Sequence, residues 1–311
     1  MARRRKTPFV AIVISVLAIA YFLFGGAIEK QNPFDDKSPA VTDESAMTVQ
    51  FLDVGQGDAT FITLPDGKTV LIDAANPGDG DELVKYLNKK AVEKIDYLVA
   101  THPHADHIGG MKEVIEGFSI GQIFAPKVAT QDLPTSKTYE NFLNAVKDKG
   151  LKLTRAQGGN ILFEGEGYKA ECLSPLYDEA EGLNNYSVVI KLHHGEDKFL
   201  FMGDAEEIAE KQILNGGLNP ECDVLKCGHH GSSSSGAAEF LKAASPKFAV
   251  ISCGADNSYG HPHKETLEAF ENLEGFEKLY RTDKDKTVTA VSDGKGSIRF
   301  SVGGDSVVQG E

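Results

Sequence analysis

Positive charge is scarce in this chain of 311 residues: 32 Lys and Arg stand against 46 Asp and Glu, a net charge of −14 at pH 7. So acidic a body repels long polyanions, which excludes tight, sequence-independent wrapping of nucleic acid unless bound cations or a local basic strip invert the field. Acting on a phosphodiester stays open, because a bound metal ion supplies such a local inversion. Cysteine is scarce too. Cys172, Cys222, Cys227 and Cys253 do not form two close pairs, and Cys222 and Cys227 are spaced too widely for a zinc knuckle. Buried thiols on strands are the simpler expectation, and the sequence does not rank the three possible disulfide pairings. No fixed short repeat is present. No Gly-x-Ser-x-Gly elbow accompanies Ser232–Ser235, so that run reads as a flexible lip and helix cap rather than a nucleophile. The remainder is ordinary globular composition, 41% hydrophobic and 25% charged, which sets aside disorder, collagen and coiled coil.

The N-terminus departs from that average. Arg3, Arg4, Arg5 and Lys6 precede an uncharged run from Pro8 to Ile28 rich in Val, Ile, Leu, Ala and Phe. Such a run is long enough to span a bilayer, and the basic cluster places the chain beyond the run outside by the positive-inside rule. Residues 1–30 therefore read as a signal-anchor or export signal, with Gly25-Gly26-Ala27 as a potential cleavage region. Residues 31–46, with Pro33 and Pro39 and no periodicity, read as a linker. The catalytic body is expected over 47–311, anchored at the outer face of the membrane or secreted.

From Thr48 onward, short apolar runs alternate with turns. Strands are predicted at Thr48–Val54, Ala59–Leu64, Thr69–Ile72, Tyr97–Ala100, Gln122–Ala125, Lys169–Leu173, Ser187–Leu192, Lys198–Met202, Asp223–Lys226, Phe248–Ser252, Thr287–Val291 and Ser297–Val302. Helices are predicted at Glu82–Asn88, Ile108–Glu116, Lys137–Lys149, Ala205–Leu214, Ala237–Ala243 and Lys264–Glu271. The pattern predicts sheets covered by helices on their outer faces.

The strongest chemical signal is His102-Pro103-His104-Ala105-Asp106-His107, three imidazoles and a carboxylate within six residues directly after an apolar strand. These are the donors that zinc, manganese or iron prefer: His102 and His104 suit one ion, and Asp106 and His107 a second. The H-x-H-x-D-H run resembles the signature of the metallo-β-lactamase superfamily. Phe51–Ala59 with Leu71–Ala74, Phe201–Ala205 and Leu225–Ser232 extend the likeness in chain order. The Asp-Val-Gly-Gln-Gly-Asp opening, the Gly-His-His-Gly-Ser run and Tyr259–His263 are together similar to the extracellular metallohydrolase domain of ComEC-type DNA-uptake proteins and their free-standing relatives.

That resemblance implies a four-layer αβ/βα sandwich and one or two divalent ions, zinc or manganese, held by His102, His104, Asp106, His107, Asp204 and His229. Asp204 would bridge the ions, a role compatible with capping the helix after it. His229 comes directly after the apolar strand and Gly228, as the terminal ligand does in superfamily members, which leaves His230 for substrate or a developing oxyanion. Where lactamases and glyoxalases carry a further His, this chain has Leu183-Asn184-Asn185-Tyr186-Ser187-Val188, so Asn185 and Ser187 are expected behind the ligands. His193 and His194 read as a solvated hairpin. Asp53, Asp58 and Asp73 are expected to orient ligand imidazoles, Asp73 being the best placed.

His261 and His263 precede a helix N-terminus and are expected at the scissile phosphate or its leaving group, completing with Asp106 and His230 a candidate catalytic set. The chemistry implied is attack by a metal-activated hydroxide on a phosphodiester, with DNA as the leading substrate. A phosphocholine or cell-envelope diester, and a catalytically weak surface metal-binding module, are the competing readings.

Overall fold

The computed structural model describes residues 45–308, so the expected N-terminal membrane segment and most of the linker lie outside the described residues. Among the described residues, no helix is long and apolar enough to cross a membrane. Fifteen strands among them form two sheets. The first contains β1 (Met47–Phe51), β2 (Thr60–Thr63), β3 (Thr69–Ile72), β4 (Lys94–Val99), β5 (Ser119–Pro126), β6 (Leu153–Ala156), β14 (Thr287–Ser292) and β15 (Ile298–Gly304), in the order β15-β14-β1-β2-β3-β4-β5-β6. The second contains β7 (Ile161–Gly165), β8 (Tyr168–Ser174), β9 (Val189–His194), β10 (Asp197–Phe201), β11 (Val224–Lys226), β12 (Phe248–Ile251) and β13 (Lys278–Arg281), in the order β13-β12-β11-β10-β9-β8-β7.

Strand alternation builds the layers. Along β10, Phe199 and Phe201 enter the core between the sheets with Phe51, Val188 and Val250, whereas Leu200 points to the outer face. On the outer face of the first sheet, Leu71 and Leu98 pack with residues of α1 (Gly80–Lys89), α2 (Ala105–Ile108), α3 (Met111–Gly117) and α4 (Lys137–Asp148). Leu200, Leu225 and Ile251 do the same with residues of α5 (Glu207–Asn215), α6 (Ala238–Ala244) and α7 (Lys264–Glu271). A short α8 (Thr282–Asp285) precedes β14. The result is an α/β/β/α sandwich of four layers.

Two expectations change at this level. The predicted helix Ile108–Glu116 is broken at Gly109-Gly110 into α2 and α3. A side chain at residue 109 would put its Cβ 2.0 Å from the carbonyl carbon of Asn76, so the chain must pass there as glycine. His194 is buried rather than solvated: its Nδ1 lies 2.6 Å from Ser292 Oγ, which donates to Asp197 Oδ2 at 2.5 Å, tying the β9–β10 hairpin to β14. His193 is half-buried beside Glu171, at 3.2 Å. The four cysteines are free and buried.

β3 and β4 run parallel, and so do β10, β11 and β12. The loops leaving their C-terminal ends carry Asp73, His102–His107, Asp204, His229-His230 and Tyr259–His263, and this is where the titratable cluster forms.

Candidate metal centre

Strand β3 ends at Ile72, and Asp73 turns with φ 61°, a left-handed conformation that Asp tolerates. Its carboxylate accepts from Thr101 N–H at 2.8 Å, from Thr101 Oγ1 at 2.7 Å and from His107 Nδ1 at 2.7 Å. His107 Nε2 is thereby aimed at Asp204 Oδ1, 3.2 Å away, and at His230 Nε2, 3.3 Å away. The other rings are fixed in the same manner, through one nitrogen with the other left to the cluster. His230 Nδ1 donates to Ser252 O at 3.0 Å. His102 Nδ1 lies 3.2 Å from Thr101 Oγ1 and 3.4 Å from Ser187 Oγ, while its Nε2 lies 3.0 Å from His104 Nδ1 and 3.6 Å from Asp204 Oδ2.

Asp204 faces both halves of the cluster, Oδ2 toward His102 and Oδ1 toward His107 and His230. Two donor groups result, His102, His104 and Asp204 in one and Asp58, His107, Asp204 and His230 in the other, with ligand atoms within 4.8 Å of one another in each. Asp106 Oδ2 stands 3.2 Å from His230 Nε2 at the edge of the second group.

The electrostatics suit a cation. Burial opposes ionisation of Asp204, yet the imidazoles of His107 and His230 hold its carboxyl well below the usual range. Burial likewise opposes a charge on His107, but Asp204 and Asp73 push its pKa well above the ordinary value. Burial, reinforced by His107, drives His102 well below it. Buried carboxylates and imidazoles gathered in this way would give up their shared protons on binding a divalent ion, whose charge would take over the compensation of Asp204. Asp58 Oδ1 is buried without a hydrogen-bond partner, and Asp204 Oδ1 meets only the imidazoles of His107 and His230, which leaves acceptor capacity for such an ion. The mixed imidazole and carboxylate donors fit zinc, manganese or iron.

The terminal histidine is the main correction to the expected site. His230, not His229, joins the cluster. Beyond β11 the chain curls through Gly228–Gly231 with φ 44° at His229 and 53° at His230, so strand alternation no longer governs which ring points inward. His229 turns to the rim, its Nδ1 3.0 Å from Ser234 Oγ and 3.1 Å from Glu206 Oε1. Two consecutive non-glycine residues in this region are strained, a feature that gathers at functional sites.

Other expected residues are also redistributed. His261 lines the cavity above the cluster, its ring stacked 6.2 Å from that of His230, and burial with the neighbouring His230 and His229 pushes its pKa down to about 4. His263 does not line that cavity: its Nδ1 accepts from Ser233 N–H at 3.0 Å and its Nε2 donates to Tyr259 O at 3.3 Å, so it braces the loop. Ser187 accepts from Asp204 N–H at 3.0 Å, beside His102. Asn185 instead caps the chain entering α5, accepting from Glu206 and Ala209 N–H groups at 3.3 and 3.2 Å. Asp53 touches no ligand imidazole; its carboxylate accepts from Ser306 Oγ at 2.5 Å and fixes the end of β1 to the C-terminal segment.

Lys226, which the sequence places only at the end of a strand, belongs to the surroundings of the site. It is buried and donates to Asp58 Oδ2 at 2.8 Å, a pairing that outweighs burial and raises its pKa. A lysine inside the apolar run Val224-Leu225-Lys226-Cys227 was the available signal.

Residues 52–255 match the family described as the metallo-beta-lactamase superfamily. Among curated proteins, the chain is 29% identical over 257 residues to ComE operon protein 3 of Bacillus subtilis, covering 77% of this chain and 32% of that protein. It is 29% identical to Recombination protein 2 of Haemophilus influenzae, covering 71% and 26%, and 28% identical to competence protein ComA of Neisseria gonorrhoeae, covering 79% and 32%. The chain thus spans about a third or less of the length of these relatives. Among solved structures, the metallo-beta-lactamase fold protein YhfI of Bacillus subtilis superposes with a TM-score of 0.51 at 14% identity, covering 80% of this chain and 100% of that one. CmlA, a diiron beta-hydroxylase from Streptomyces venezuelae, superposes with a TM-score of 0.51 at 15% identity, covering 76% and 52%. These two likenesses concern the fold alone.

Proposed function

Because the chain belongs to the metallo-beta-lactamase superfamily, and so to a fold of metal-dependent hydrolases, we propose that it cleaves phosphodiester bonds, with DNA as its leading substrate. The observation that carries this reading is Asp204, which turns one carboxylate oxygen to each half of a buried histidine cluster. His102 and His104 with Asp204, and Asp58, His107 and His230 with Asp204, are the donor groups that would hold divalent ions, with Asp106 at the edge of the second. Bound there, such ions supply positive charge for a phosphoryl oxygen and acidify a water. The chain's own groups do the rest. Asp73, Ser252 O and Thr101 hold the imidazoles in register before substrate arrives, so no reorganisation is required during reaction. His261, with its pKa near 4, stands over the cavity as a neutral imidazole able to touch a phosphate oxygen.

The names of the competence proteins support DNA as substrate, and the apolar N-terminal run supports action outside the membrane. The net charge of −14 favours a second reading, a small diester such as a phosphocholine or cell-envelope headgroup. The deciding experiment gives the purified protein single-stranded DNA, duplex DNA and a small chromogenic phosphodiester, each with Mn²⁺ or Zn²⁺ and with chelator, beside His104→Ala. Metal-dependent DNA cleavage lost in the variant is the expected result. Cleavage of the small diester alone moves the assignment to the second reading. Inactivity on all three with metal bound defeats both.

A further inference from the structure

The cavity over the cluster, about 280 Å³, contains no Lys or Arg among its lining residues. Beyond the one phosphate that bound ions would meet, a polynucleotide in this site has no Lys or Arg to neutralise further phosphates, the usual source of sequence-independent affinity. The lining offers an aromatic ring instead. Tyr259 lies at the mouth and is 65% exposed, the most exposed of the large hydrophobic side chains among the described residues. Its ring stacks on His261 at 5.6 Å and 21°, and His261 stacks on His230 at 6.2 Å and 26°. Three rings thus lead from the donor cluster to solvent, and among the described residues His261 is the ring against which Tyr259 stacks.

The loop that presents Tyr259 is fixed from several sides. Asn257 Nδ2 donates to Gly254 O at 2.9 Å and to His261 O at 2.6 Å, and Asn257 Oδ1 accepts from His261 N–H at 2.9 Å. His263 Nε2 holds Tyr259 O at 3.3 Å while its Nδ1 accepts from Ser233 N–H. A solvent-facing aromatic side chain on a braced loop carries little ordering cost when a ligand stacks on it.

We infer that Tyr259 is a stacking platform for a nucleobase next to the scissile phosphate, and that the substrate class is single-stranded polynucleotide. A base inside duplex DNA has both faces stacked on its neighbours, and a headgroup diester such as phosphocholine has no ring to stack. This rests on the phosphodiesterase reading and adds the part of the substrate that the site recognises. Stacking of a base on an aromatic side chain is worth on the order of 5- to 100-fold in affinity and tolerates any base.

The test measures binding of two fluorescent oligonucleotides of equal length, one carrying bases and one abasic, by fluorescence anisotropy. It uses the full chain with Zn²⁺ or Mn²⁺ present, as wild type, Tyr259→Ala and Tyr259→Phe, with cleavage of both oligonucleotides followed in parallel. Wild type is expected to prefer the base-bearing oligonucleotide by roughly 5- to 100-fold. Tyr259→Phe is expected to keep that preference and Tyr259→Ala to bring it close to one. The affinity should also fall only shallowly with salt, since few phosphates are neutralised. A preference unchanged in Tyr259→Ala, or absent from the wild type while metal-dependent DNA cleavage proceeds, overturns the platform and leaves the nuclease reading standing. If wild type neither binds nor cleaves either oligonucleotide with metal bound, the nuclease reading fails and the platform with it.

Discussion

Asp73 does two things with one carboxylate: it closes the turn at Thr101 and orients the ring of His107, and both partners are buried. Replacing it with Asn keeps the shape but removes the negative charge that makes His107 a stronger donor. Asp73→Asn is expected to lower divalent-ion affinity by about 10- to 100-fold, as loss of a carboxylate behind a ligand histidine commonly does. Competition with a chromophoric chelator measures this, and an affinity equal to wild type removes Asp73 from the support of the site. The spacing of His102, His104, Asp106 and His107 is local and was legible in the sequence. The exchange of His229 for His230 was not, because it arises from two left-handed residues after β11 that no strand periodicity encodes. Lys226 was hidden for a related reason: its partner Asp58 lies 168 residues away in the chain, in the loop between β1 and β2.

Helix α6 starts without a capping side chain of its own. Glu210 of α5 reaches across instead, Oε1 accepting from Gly236 N–H at 2.6 Å and Oε2 from Ala237 N–H at 2.9 Å. The sequence had pointed to Ser232–Ser235 for a cap, but Ser235 Oγ donates to Ala205 O at 2.7 Å. Burial drives the pKa of Glu210 up to about 7 against these two hydrogen bonds. The folded protein therefore holds this proton more tightly than the unfolded chain, whose Glu titrates near 4.5. The resulting stabilisation is complete below that pH and is lost as pH rises through about 7, a change on the order of 3 kcal/mol. Urea midpoints of wild type and Glu210→Gln between pH 5 and 8 test it. The wild type should lose stability over this range relative to the variant, and parallel profiles would sink the assignment. Most strands are legible from their apolar runs; β6, β7 and β13 are not. All three are edge strands. An edge strand has one strand neighbour and carries a weaker apolar pattern, as Lys278-Leu279-Tyr280-Arg281 shows, with only Tyr280 buried.

Across the whole molecule, the donor cluster lies on the seam between the sheets. His102, His104 and His107 leave the first sheet after β4, whereas Asp204 and His230 leave the second after β10 and β11. The buried Lys226–Asp58 pair crosses the same seam. Ions bound here would join two sheets that otherwise meet through apolar side chains, and an unfolded chain offers no comparable site. Binding to the folded state alone adds about 2.7 kcal/mol when free metal stands at 100 times its dissociation constant. In a body of this size, that corresponds to a rise in Tm of roughly 5–10 °C. Chelation of the metal-loaded protein should reverse the rise, and Asp204→Asn, which removes the carboxylate shared by both donor groups, should melt at the same temperature with or without metal. Calorimetric scans of the two proteins, with metal content measured alongside, give the answer. Metal that leaves the wild type without moving its Tm was not held between the sheets, and the seam would then owe its cohesion to the apolar core and to Lys226 with Asp58.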